Sequence, residues 1–115
     1  MIPQRMCARV AMRRPVSYRD ARGDGEAMLL DLSLQGCRIE GAPPFSCGTR
    51  LQLELWLPDQ FLPAKVEQAV VRWVNHDQCG ISFVKVQSEA RARLKHLLHL
   101  LHEPEHSEGL VVWKR

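Results

Sequence analysis

No stretch of the chain approaches the roughly 20 consecutive apolar residues that a membrane helix requires, and its first residues are crowded with arginine where a secretory leader would be apolar. A cytoplasmic protein with no membrane partner is expected. Cysteine is sparse: Cys7, Cys37, Cys47 and Cys79 form no CxxC pair and stand at no short metal-ligand spacing. That points away from a zinc site and a disulfide framework and leaves reduced, mostly buried thiols, with no cofactor or metal expected. Acids are nearly absent from the first 23 positions, where Asp20 alone stands against Arg5, Arg9, Arg13, Arg14, Arg19 and Arg22. The remainder is slightly acidic, so the net charge is only +3. A basic start on a nearly neutral body points to an anionic partner, and the use of arginine alone there favours planar bidentate recognition over diffuse attraction.

What is present, 115 residues that are 45% hydrophobic and 25% charged, suits one small folded domain. Residues 1–14 show no clean apolar period and read as a flexible arginine-rich leader that orders on binding a ligand, with Pro15 ending it. The folded domain is expected over 15–103 and a tail over 104–115. Short strands are expected over 16–19, 27–33 and 37–40, divided by glycine-bearing turns at 22–25 and 34–36. Residues 50–57 alternate strictly, with Leu51, Leu53, Leu55 and Leu57 on one face and Gln52, Glu54 and Trp56 on the other. A strand over 65–74 slips phase near Ala69-Val70-Val71, the mark of a bulge or of burial on both faces, and 80–86 supplies a last core strand. Ser88 is expected to cap a helix whose Leu94, Leu97, Leu98 and Leu101 form an apolar stripe, and Pro104 to stop it. Five or six short strands followed by one helix exclude a doubly wound nucleotide fold and describe a mostly β, antiparallel domain closed by a C-terminal helix.

The run Asp31-Leu32-Ser33-Leu34-Gln35-Gly36 sets an acid, a hydroxyl and a glycine at fixed offsets inside an apolar segment, and about twenty residues upstream Arg5 and Arg9 stand four apart. RxxxR followed by DxSxxG resembles the paired motifs of the PilZ domain family. Ala69-Val70-Val71-Arg72-Trp73 and Cys79-Gly80-Ile81-Ser82-Phe83 resemble its later strands. The resemblance implies a six-stranded antiparallel β-barrel of PilZ type with a C-terminal α-helix. It also implies a receptor for cyclic di-GMP, a bacterial second messenger, that changes conformation on binding and signals to a protein partner. No catalytic residues are expected, since no nucleophile elbow or second glycine-rich loop accompanies the motif. The alternative is a PilZ-fold protein-interaction adaptor that does not bind the nucleotide. A nucleic-acid partner is not expected, for want of a recognition helix and exposed aromatics. A monomer or weak homodimer is anticipated.

The chemistry of such a ligand gives each residue a task. Arginine meets guanine O6 and N7 together or clasps a phosphate bidentately, so Arg5 and Arg9 cover two sites on one molecule. Ionised Asp31 only accepts, which suits guanine N–H donors or a ribose hydroxyl, or holding an arginine in position. Ser33, two residues on, offers a hydroxyl to a base or phosphate, and Gly36 allows close approach of backbone and ligand or a positive φ. The bland reading is that DxSxxG closes a hairpin while the arginines are solvated. Arg9 and Arg13 also satisfy RxxxR, and Arg13 or Arg14 is placed either on a phosphate or in solvent. Trp73 is either a stacking wall for a guanine or a packing residue. Arg38 either extends the basic surface or pairs across the sheet with Glu40 or Glu54, the second being the expectation. His96, His99, His102 and His106 recur at helical spacing and are read as a solvated face and not a metal site.

Overall fold

The computed structural model describes residues 9–107, with side chains as far as Leu101. Six strands, β1 (Val10–Asp20), β2 (Gly23–Leu32), β3 (Gly36–Glu40), β4 (Arg50–Leu55), β5 (Ala64–Asn75) and β6 (Gln78–Lys85), precede one helix, α1 (Ser88–Ser107). The strands close into a barrel in the order β1-β2-β3-β6-β5-β4, with every neighbouring pair antiparallel and β1 returning to β4. Closure gives every described strand a neighbour on both sides.

Alternation decides which face each strand buries. Leu51, Leu53 and Leu55 point inward as the sequence predicts, meeting Val16 and Tyr18 of β1, Leu29 and Leu32 of β2, Cys37 and Ile39 of β3, and Cys79 and Ile81 of β6 in one core. In β5 the inward set changes from Ala64 and Val66 to Ala69 and Val71, and the register with β4 and β6 shifts there, so the phase slip read in the sequence is a bulge. Phe45, on the β3–β4 connection, plugs one end of the core by standing edge-on to Tyr18, with ring centroids 5.2 Å apart. Leu94, Leu97 and Leu98 of α1 bury the helix stripe against the barrel, whereas Leu101 is partly exposed. Burial pushes the Cys79 thiol up to about 11 and raises the Cys37 thiol still further, so both behave as small apolar core residues. Cys47, by contrast, is exposed.

Several boundaries differ from expectation, among them that of β2, which starts at Gly23 and so takes in most of the turn expected at 22–25. The strand β1 begins at Val10, so residues 10–14 belong to the barrel and not to a leader ending at Pro15. Its ladder with β4 starts only at Val16, and where that ladder stops Arg14 takes over: Nε donates to the Trp56 carbonyl at 2.8 Å and Nη2 to that of Leu57 at 3.5 Å. Arg14 is thus a backbone cap that ties β1 to the end of β4. At the helix start the Arg91 N–H bonds the Gln87 carbonyl at 2.8 Å, so Gln87 holds the N-cap position one residue before Ser88. Finally, α1 runs past Pro104 to Ser107, so the proline, which removes one helical bond and crowds the carbonyl four residues back, lies within the closing turns of the helix instead of stopping it. Residues 108–115 of the expected tail lie outside the described residues.

The β4–β5 loop is fastened to α1 by Asp59, whose two oxygens accept from Arg93 Nη2 at 2.9 Å and Nε at 3.1 Å. The hydrogen bonds from Arg93 hold the Asp59 carboxyl below the usual carboxylate range. Because the folded pKa is depressed, the bridge stabilises above the unfolded carboxylate value near 4 and is lost as pH falls through the lower folded value. Both side chains are largely shielded, so Arg93→Ala is expected to cost about 1–2 kcal/mol at pH 7. Urea unfolding of both proteins at pH 7 and pH 2.5 checks this; an equal gap at the two values would exclude the bridge as its source.

Candidate functional site

Two bulges create the site. In β2, Leu29 points into the core, so strict alternation would bury Asp31 as well. The β2–β3 register passes from Leu29↔Ile39 to Asp31↔Arg38, leaving Leu30 as the extra residue. Asp31 is thereby turned to the outer wall while Leu29 and Leu32 both stay inside. In β5 the register passes from Val71↔Ile81 to Trp73↔Gly80, leaving Arg72 as the extra residue and turning Trp73 outward in the same way. The pairings Asp31↔Arg38, Arg38↔Gly80 and Gly80↔Trp73 set these four residues in one row across β2, β3, β6 and β5.

Asp31 is the centre of charge in that row. Its Oδ1 accepts from Arg9 Nη1 at 2.8 Å and its Oδ2 from Arg38 Nε at 3.1 Å. The carboxylate side chain is only 13% exposed, against 55% for Arg9 and 41% for Arg38, so a shielded anion holds two accessible guanidinium groups. Arg38 is held a second time by Gln78 Oε1 at 3.3 Å. This corrects the expected pairing of Arg38 with Glu40 or Glu54: Glu40 is taken by Arg13 at 3.1 Å, while Arg38 stands directly opposite Asp31. The sequence carried the signal, since a turn centred on residues 33–36 puts positions 31 and 38 opposite one another.

Ser33 shapes the turn. It is 1% exposed, and its Oγ donates to the Gly36 carbonyl and accepts from the Gln35 and Gly36 N–H groups, each at 3.2 Å. One donor and two acceptor positions are all a hydroxyl has, so the turn uses the whole of it. Gly36 has no positive φ. Its need is steric: a Cβ there would overlap the Ile81 carbonyl oxygen and lie 3.2 Å from the Ile81 carbonyl carbon, both in the β6 backbone. Gly36 therefore lets β3 approach β6, rather than supplying an unusual turn conformation.

Of the predicted site residues, Arg9, Asp31, Ser33 and Gly36 are brought together at the β1 start and the β2–β3 turn. Trp73 lies at the far end of the row and is 42% exposed. Arg13 sits on the outer face but is committed to Glu40. Arg5 lies outside the described residues. A groove of about 540 Å³ lies away from this strip, beside Arg50, Gln52 and Val84. On α1, His96 and His99 are exposed, and among the described residues no group of three or more His, Cys, Asp or Glu is placed to hold a metal ion. No helix among them is long and apolar enough to cross a membrane.

The sequence matches the family described as the PilZ domain over residues 3–100. No curated protein matches it. Among solved structures the chain resembles the PilZ domain of YcgR from Escherichia coli, determined with c-di-GMP, at TM-score 0.67 and 16% identity, covering 92% of this chain and 97% of that one. It resembles the Bacillus subtilis inhibitor of motility, MotI/DgrA, at TM-score 0.70 and 16% identity, covering 90% of this chain and 52% of that one. A complex of MrkH from K. pneumonia with c-di-GMP gives TM-score 0.64 and 17% identity, covering 88% and 54%. At these identities the likeness is one of fold.

Proposed function

The chain belongs to the PilZ domain family, and we propose that it is a receptor for cyclic di-GMP, bound on the outer wall of the barrel by Arg9 and Arg5 together with the Asp31–Gly36 segment. The observation that carries this reading is the Arg9–Asp31 ion pair of 2.8 Å, which joins the two separate sequence motifs in one place across 22 residues. Arg9 uses one nitrogen on Asp31 and is more than half exposed; its remaining N–H donors are free to take guanine O6 and N7 or a phosphate. Asp31 serves by aiming Arg9 and Arg38, and Ser33 by fixing the turn that presents them. Trp73 offers a stacking face at the other end of the row. The c-di-GMP found with the structurally similar YcgR and MrkH supports the choice of ligand.

Binding changes the conformation of the domain, and the altered face is what a protein partner in the cytoplasm reads, with no chemical step by this domain. Isothermal titration of cyclic di-GMP into the purified protein is expected to show micromolar or tighter affinity that weakens as salt is raised, because the ligand's phosphates meet arginine. A folded wild type that takes up no heat at any salt concentration would remove the receptor reading and leave the interaction adaptor.

A further inference from the structure

Neither motif contains Gly80, yet the geometry of the row depends on it. Gly80 lies in β6 between Arg38 and Trp73, and its outer face is covered, because the residue is buried although it points away from the core. The cover is the Trp73 indole. A Cβ at position 80 would overlap indole Nε1 and Cε2 and lie 2.7 Å from Cδ1. The five-membered ring thus occupies the space that any side chain at 80 would fill. The Arg72 bulge turns Trp73 outward, and the bare backbone at Gly80 lets the ring settle onto the wall beside Arg38 instead of standing off it. The three nearest atoms all belong to a side chain with rotatable bonds, so a methyl group at 80 displaces the ring and leaves the ladder intact. Gly36 differs, since there the obstacle is backbone.

We propose that Gly80 is a positioning residue for ligand recognition: it seats the Trp73 indole in line with Arg38 and Asp31, so that a purine base stacks on the ring while its edge meets the arginines. This rests on the cyclic di-GMP reading above. Gly80→Ala unseats the ring and weakens binding as much as removing it does, on the order of tenfold for one lost base–aromatic stack.

The test is a double-mutant cycle of Gly80→Ala and Trp73→Ala, read by titration calorimetry with cyclic di-GMP, alongside acrylamide quenching of tryptophan emission in the free proteins. Each single variant is expected to lose roughly tenfold in affinity and the double variant no more than Trp73→Ala alone. Gly80→Ala is expected to raise quenching, and that rise to vanish when Trp73 is absent. A folded Gly80→Ala protein that binds like wild type, or losses that simply add, would overturn the positioning role. Failure of the receptor reading looks different: wild type gives no binding at all, while the quenching comparison still reports whether Gly80 seats the indole.

Discussion

Asp31→Asn is expected to lower cyclic di-GMP affinity by about a hundredfold while leaving the domain folded, because asparagine can satisfy only one of the two guanidinium groups that share the carboxylate. Arg9 donates to one oxygen and Arg38 to the other. Turning one oxygen into an amide makes a donor face a donor, and the remaining neutral acceptor holds the second arginine less strongly. The released guanidinium is then misaimed, and aim is what a bidentate contact with a base edge or phosphate requires. Stability should change far less. Arg9 and Arg38 are both close to half exposed, so water solvates what Asp31 releases, and the screened pairs together amount to about 1 kcal/mol. Calorimetric titration beside thermal melting of wild type, Asp31→Asn and Asp31→Ala separates the two effects. Wild-type affinity in Asp31→Asn would mean that the carboxylate does not aim the arginines; a collapse of stability in either variant would make its role structural.

Much of this arrangement is legible in the sequence, and the places where it is not have physical causes. The strict alternation of Leu51, Leu53 and Leu55 fixes β4, and the leucine spacing of 94, 97 and 98 fixes the buried face of α1. The start of β1 is obscured because the inward series Val10, Met12, Arg14, Val16, Tyr18 contains an arginine. Arg14 fits there by laying its stem along the wall and spending its charged head on two carbonyls, which no periodicity of apolar residues can register. The outward turn of Asp31 and Trp73 comes from single extra residues, Leu30 and Arg72, whose effect depends on partner strands far away in sequence. A bulge is a property of two strands at once, so one strand's pattern shows at most a slipped phase. Gly80 was hidden for the same reason: its purpose is visible only when the side chain of Trp73 is seen lying across it.

The largest loss of stability is expected at Gly36. In Gly36→Ala the new methyl group meets the Ile81 carbonyl oxygen, the Ile81 carbon at 3.2 Å and the Ser82 Cα at 3.4 Å, all atoms of the β6 backbone. No rotamer change relieves such a contact; the strands must separate where Gly36 pairs with Ser82 and Cys37 with Ile81. That disturbs fully buried Cys37 and the Ser33 turn, whose bonds run to the N–H and carbonyl of Gly36 itself. Overpacking of this kind costs about 3 kcal/mol or more, which for a domain of this size lowers the melting temperature by roughly 15 °C. Gly41→Ala and Gly48→Ala make the natural comparison, since both positions have open space and a positive φ, 89° and 91°. Their cost is conformational alone, about 1 kcal/mol each. Thermal melts of the three variants rank the two mechanisms, and a Gly36→Ala protein no less stable than the other two would refute the backbone clash. Because the glycine of DxSxxG holds β3 against β6, a loss of binding in Gly36→Ala reports the collapse of the platform under Asp31 and not a missing contact with the ligand.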